Sequence, residues 1–182
     1  MKEISLNVLD IAQNSIKAEA LQIDILIVEN EKTLTFTVTD DGKGMTKEFL
    51  ENVTNPFTTT RTTRKVGLGL PLLKMAAEMT GGSLSIESRS REEYEDHGTV
   101  VKATFRKDSI DYVPLGDIIG TVEVLVQGIG KENFYFRHEL PRGTVELSTA
   151  EMREMLGDVP LNSPDVVLWV REYLQEAYNE VK

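Results

Sequence analysis

The chain contains no cysteine. That excludes a disulfide framework and any thiolate-held metal, and it makes the cytoplasm the simple expectation for where the protein works. Histidine is nearly absent as well: His97 and His138 are too few for a histidine-rich metal centre. No apolar run approaches the ~20 residues that cross a bilayer, and Met1-Lys2-Glu3-Ile4 does not open like a signal peptide, so no membrane partner is expected. Positive charge is scarce. Twenty Lys and Arg stand against 30 Asp and Glu, a net charge of −10, which argues against general nucleic-acid affinity. Internal repeats and Pro/Gly/Ser-rich linkers are missing too. What is there is an ordinary soluble balance, 40% hydrophobic and 27% charged, over 182 residues. That length suits one large domain, or one domain with an appendage.

The charge is unevenly spread. Residues 1–107 hold 14 basic and 16 acidic residues, whereas residues 108–182 hold 6 basic and 14 acidic ones. Periodicity predicts a helix over 4–18, with Leu6, Leu9, Ala12 and Ile16 toward a core and Asp10, Asn14 and Lys17 together on another stripe. Strands follow at about 22–29 and 33–40, joined by a polar turn. Thr46 can cap a short helix to about Val53. The hydroxyl-rich, cationic stretch 54–65 has little to pack into a core and reads as a mobile loop. A helix opens at Val66-Gly67-Leu68-Gly69-Leu70 and stops at Gly81-Gly82. Strands at about 83–88 and 99–106 complete an α/β sandwich, a mixed sheet with helices on one face.

Residues 108–182 read as an α/β extension packed on that layer. Residues 115–128 fit a helix through Ile118, Ile119, Val122, Val126 and Ile129, and a strand through Val122, Val124 and Val126; the helix is preferred. A hairpin is predicted over 133–140 and 143–148. Ser148 then caps a short helix ending at Gly157. A last helix starts at Ser163-Pro164 with Val166, Val170, Tyr173, Leu174, Ala177 and Val181 as its stripe, flanked by Trp169 and Tyr178.

One stretch stands out for chemistry. Asp40-Asp41-Gly42-Lys43-Gly44-Met45 ends the second strand with a carboxylate and two glycines that let backbone turn sharply and approach a ligand. A carboxylate there can accept from an exocyclic amine such as adenine's. Alone, Asp-Asp-Gly is ordinary turn chemistry. It gains weight from its company: Asp10-x-x-x-Asn14 on the first helix, the Thr/Arg loop, and Gly67-x-Gly69 at a helix start.

These four features in this order resemble the GHKL superfamily, the ATP-binding domains of gyrase, chaperone, histidine kinase and mismatch-repair proteins. The resemblance covers about residues 4–106 and implies a two-layer α/β (α+β) sandwich, the Bergerat-type ATP-binding fold, over 1–107, with 108–182 as an extension that could bind a partner. It implies ATP and Mg²⁺ as cofactors. Asn14 matches the metal-ligating asparagine, and Lys17 a phosphate-facing base. Asp40 matches the adenine-reading aspartate, with Gly42, Gly44 and Met45 close to the purine. Asn55-Pro56-Phe57, with Thr59, resembles the box before the ATP lid. Arg61, Arg64 and Lys65 would close on the phosphates, and Gly67, Leu68, Gly69 and Leu70 would bring a helix N-terminus to them. Gly98-Thr99 resembles the last family box, a more distant support.

The run from Gly67 to Lys74 looks most like histidine kinases. Lys65 departs from them by standing where they often carry a glycine. Asp10 stands where hydrolases and serine kinases of the superfamily usually carry Glu, so a general-base role for Asp10 and a helix-face role are both open. No phosphoacceptor helix is expected ahead of this core, and His97 and His138 read as structural. The expectation is a stand-alone ATP-dependent protein kinase acting on a separate, unidentified acceptor, with homodimerisation open. The alternatives are a non-catalytic ATP-dependent binding module and a slow ATPase that uses Asp10.

Overall fold

The structure, a computed structural model, describes residues 3–55 and 68–182. The first half runs α1 (Ile4–Lys17), β1 (Gln22–Glu29), β2 (Thr33–Asp40), α2 (Lys47–Asn52), α3 (Gly69–Met79), β3 (Ser83–Arg89) and β4 (Gly98–Arg106). The second runs α4 (Ile118–Gly128), β5 (Asn133–Leu140), β6 (Gly143–Ser148), α5 (Thr149–Leu156) and α6 (Pro164–Val181). The strands form one six-stranded mixed sheet in the order β3-β4-β2-β1-β5-β6. Only β1 and β5 pair in parallel; the other neighbours are antiparallel.

Alternation decides which face is covered. Ile23, Ile25 and Ile27 of β1, Leu34, Phe36 and Val38 of β2, and Val101, Ala103 and Phe105 of β4 are all buried. The residues between them, such as the Thr33–Thr39 series, face out or are only partly covered. α1 packs on β1 and β2, α3 on β3 and β4, α5 on β5 and α6 on β6. One contiguous apolar cluster runs through both halves. Residues 108–182 therefore lengthen the same sheet by two strands and share its core. A crossover through α4 makes this possible, because β5 must run parallel to β1.

The register of α1 differs from the reading by periodicity. Ile4, Val8, Ile11 and Ala12 are buried, while Leu6 is 43% exposed and Leu9 and Ile16 pack only at the margin. The helix is turned so that its small polar residues Ser5 and Ser15 also go inside, and they do so with partners. At its N-terminal end, Ile4 N and Ser5 N donate to Pro114 O and Leu115 O, so the connection from β4 to α4 satisfies two orphan amides of α1. α4 is a helix: Val122 and Val126 are buried and Val124 is 44% exposed, which a strand burying all three would not give. On α6, Tyr173 faces out and stacks on Trp169, while Tyr178 is buried.

Tyr178 is buried because His138 receives it. The His138 ring, 1% exposed, places Nδ1 2.8 Å from the Tyr178 hydroxyl and Nε2 3.4 Å from Glu29 Oε2. The second contact is long for a hydrogen bond, and Nε2 has no other partner. Glu29 also accepts from Lys107, whose Nζ donates at 2.6 Å and reaches Asn30 O as well. His138, and behind it Lys107, hold the Glu29 carboxyl down at about 2 against the upward push of partial burial. Burial raises the Tyr178 hydroxyl well above its ordinary value. The group joins β1, β5, α6 and the end of β4, so it pins the second half of the sheet to the first.

A carboxyl depressed from 4.5 to about 2 adds stability that is complete above 4.5 and disappears as pH falls toward 2. Replacing Glu29 by Gln should therefore cost about 1–3 kcal/mol at neutral pH, read by urea unfolding. The variant's stability should also change less than the parent's across that acid range; an identical pH profile would count against the clamp.

Candidate nucleotide site

α1, β2 and the β3–β4 connection converge at one end of the sheet, and a cavity of about 880 Å³ opens between them and α2. That volume lies in the range of small-molecule sites. Register builds its floor. In the antiparallel ladders Asp40 sits opposite Thr99, and Thr99 opposite Ser88, so three polar side chains line up across β2, β4 and β3. Ser88 Oγ lies 2.8 Å from Thr99 Oγ1 and accepts from Met45 N at 2.8 Å. Thr99 thus lines the cavity itself.

Asp40 is fixed by two different donors. Oδ1 accepts from Gly42 N at 2.9 Å, and Oδ2 from Ser15 Oγ at 2.6 Å. The carboxylate is only partly buried and lines the cavity, so each oxygen keeps acceptor capacity for a ligand. The neighbouring Asp41 plays a purely local part: its Oδ1 takes the amides of Leu21 and Gln22 and ties the turn to the start of β1.

The glycines are demanded by close approach. A Cβ on Gly42 would stand 2.8 Å from Ala18 O. At Gly44, φ is +65° and a Cβ would stand 1.9 Å from Arg89 O. No side chain fits the second position, and its backbone conformation is one that L-residues enter with strain. His97 adds a further tie, with Nδ1 2.5 Å from Gly42 O. This is the structural role read for His97, and His138 has one in the core.

Sequence reasoning placed several residues here that the structure gathers: Asn14, Lys17, Asp40, Gly44, Met45, Leu70 and Thr99 all line the cavity. Gly42 is buried behind it. Leu68 is exposed and Gly69 opens α3, and neither is among the lining residues. Asp10 is exposed on α1 and is not among them either. Phe57, Thr59, Arg61, Arg64, Lys65 and Gly67 lie outside the described residues. The structure adds Ile11, Ser15 and Ala18, which share the Asn14 side of α1, and Phe49 and Val53 from the region of α2. Helical spacing from Asn14 would have found the first three. Ser90, Arg91 and Glu92 also line the cavity, in the connection after β3 that the Arg91 amide ties to Lys43 O, a long-range contact that no local pattern announces.

The profile of the family described as histidine kinase-, DNA gyrase B-, and HSP90-like ATPases matches residues 2–109. The chain belongs to this family. Among curated members, sporulation kinase D of Bacillus subtilis is 33% identical over 86 residues, 46% of this chain and 17% of that protein. Sporulation kinase A of the same organism is 29% identical over 107 residues, 59% of this chain and 16% of that protein. The chain thus spans about a sixth of the length of these relatives. Among solved structures, the MutL ATPase domain of Aquifex aeolicus complexed with ADP aligns with a TM-score of 0.54, at 16% identity, over 86% of this chain and 68% of that one. The N-terminal domain of a DNA repair protein aligns with a TM-score of 0.55 at 16% identity, over 81% of this chain and 52% of that one. At such identities the likeness is one of fold, and it extends past β4 into the second half of the sheet.

Gly44→Ala should lower stability by at least about 2 kcal/mol, since the new methyl meets a backbone carbonyl in a strained conformation. Thermal unfolding reads this directly. A variant as stable as the parent would show that the glycine turn is not packed as described.

Proposed function

We propose that the cavity holds ATP and that the protein is an ATP-dependent protein kinase of the histidine kinase type, acting on a separate acceptor protein in the cytoplasm. The observation that carries the nucleotide reading is Asp40: a cavity-lining carboxylate whose oxygens are oriented by Ser15 and Gly42. Such an acceptor matches the adenine amino group and disfavours guanine, whose carbonyl would leave it unpaired. Gly44 and Met45 present backbone beside it, and Ile11 and Val101 supply apolar walls.

Asn14 and Lys17 project from α1 into the same cavity. An amide oxygen and an ammonium suit Mg²⁺ and phosphate, respectively. Among the described residues no cluster of three or more acidic or histidine side chains could hold an ion alone. Magnesium suits such a site, because it binds through one or two protein ligands together with phosphate oxygens. When bound, it neutralises charge on the phosphates. Asn14 would orient it and Lys17 would hold the phosphate tail. The start of α3, at Gly69, would supply amides to the phosphates. The lid residues Arg61, Arg64 and Lys65 would complete the charge neutralisation. The γ-phosphoryl group passes to a nucleophile of the acceptor and ADP leaves. Residues 108–182 would offer the acceptor, or a second copy of the chain, its docking surface.

Position favours transfer over hydrolysis. Water needs a base, and the residue available for that task, Asp10, is exposed and absent from the cavity's described lining. A neutral imidazole needs no such help.

Incubation with γ-labelled ATP and Mg²⁺, with and without cell extract, tests the kinase. Label should appear on an extract protein, and Asp10→Asn should keep at least about half of the transfer. Free phosphate without any labelled protein would instead support an ATPase. Asp40→Asn should weaken ATP binding at least about tenfold in calorimetry, and unchanged affinity would remove the nucleotide reading.

A further inference from the structure

The turn that leaves α1 carries a backbone anomaly. Glu19 has φ 63°, the left-handed region that a residue with a side chain enters at a cost. Its amide is held by Ile16 O at 3.0 Å, and that of Ala20 by Ser15 O at 3.1 Å. Such an outlier persists only where its surroundings over-determine it. One of those surroundings is distant in sequence. Glu19 Oε2 accepts from Arg91 Nη1 at 2.6 Å. Arg91 lines the cavity, and its amide donates to Lys43 O at 2.9 Å. From the other side, Lys43 N donates to Ala18 O at 2.8 Å. The glycine turn therefore runs between two segments that each grip it through the backbone at Lys43. The Glu19–Arg91 pair ties those two segments to each other.

We propose that Arg91, held by Glu19, is a positioning residue for the purine end of the cavity. The pair latches the α1–β1 turn to the β3–β4 connection around the glycine turn and so sets the width of the base pocket. The ligand part of this proposal rests on the nucleotide reading; the latch does not. The Arg91 guanidinium, with weaker help from Lys43 and Lys131, holds the Glu19 carboxyl below its ordinary range. Both side chains are more than half exposed, so salt screens the bond. It suffices because the segments it joins already touch the same turn.

Two measurements test the latch, and the first needs no ligand. In the free protein, Arg91→Ala and Glu19→Ala should each speed amide hydrogen exchange at Lys43 and Arg91 about tenfold, and the double variant should be no faster than the singles. Unchanged exchange overturns the latch. In the second, adenosine and ATP are titrated separately. Each variant should weaken both ligands by the same factor, about three- to tenfold at low salt, with the gap to the parent closing at high salt. Arg91→Lys, which keeps the charge, should recover most of the affinity. A loss confined to ATP would make Arg91 a phosphate ligand and overturn its assignment to the purine end. If the parent protein binds neither adenosine nor ATP, the nucleotide reading falls with the positioning role, and the exchange rates still decide the latch.

Discussion

The backbone at Gly42 and Gly44 lies against two other segments of chain with no room for a side chain between them. Ala18 closes on one glycine and Arg89 on the other. This contact locates the rest of the site. It fixes where β2 ends, so it fixes Asp40. It draws the end of α1 against the turn, so Ser15 reaches the carboxylate. It brings the end of β3 alongside, so Ser88 can take the Met45 amide. A rigid polar floor follows from a packing constraint, without any charged group being buried unpaired.

The floor explains which parts of the site were legible beforehand. Asp40 and the glycines are ordinary turn chemistry alone and become legible only in the company of the other motifs in their fixed order. Asn14 and Lys17 follow from helical spacing. Ser88 does not, because its place depends on which residue of β3 lies opposite which residue of β4, and neither do Ser90 and Arg91, which lie beyond β3 where the Arg91 amide meets Lys43 O. A shift of that register by one residue would send Ser88 to the other face, and nothing local to the sequence forbids it. Thr99 was legible only through family resemblance. The orientation of α1 was misread for a related reason. Counting apolar residues favours Leu6 and Leu9, whereas the helix buries Ser5 and Ser15 because each has a hydrogen-bond partner. Polar groups with partners can occupy a core face, and periodicity of hydrophobicity does not see partners.

Strand and helix boundaries in residues 108–182 were legible too, but their placement was not. A hairpin and three helices can pack on a sheet or extend it, and the two outcomes share one local pattern. The choice is made by long-range contacts: β5 beside β1, and the pairings of Glu29, His138, Lys107 and Tyr178 across the seam. A histidine that reads as an unremarkable strand residue turns out to be the inward-facing polar group where the two halves meet. One ring nitrogen is met by the Tyr178 hydroxyl, and the Glu29 carboxylate lies 3.4 Å from the other. The profile match ends at residue 109, yet the sheet and core continue without a break. The boundary in sequence similarity is therefore not a boundary in packing.

Helix geometry also limits which α1 residues reach the cavity. At ~100° per residue, Ile11, Asn14, Ser15 and Ala18 fall within one arc, and all four line the cavity. Asp10 and Lys17 are seven residues apart and so lie close together on the flank of that arc. Lys17 lines the cavity and Asp10 does not. Their directions are nearly the same, but they stand ~10.5 Å apart along the helix axis, so only one of them is at the level of the cavity. Asn14 and Lys17 thus bring an amide and an ammonium from α1 to the cavity lining, and Asp10 brings no carboxylate there. That pair can hold and neutralise phosphate but cannot take a proton from water.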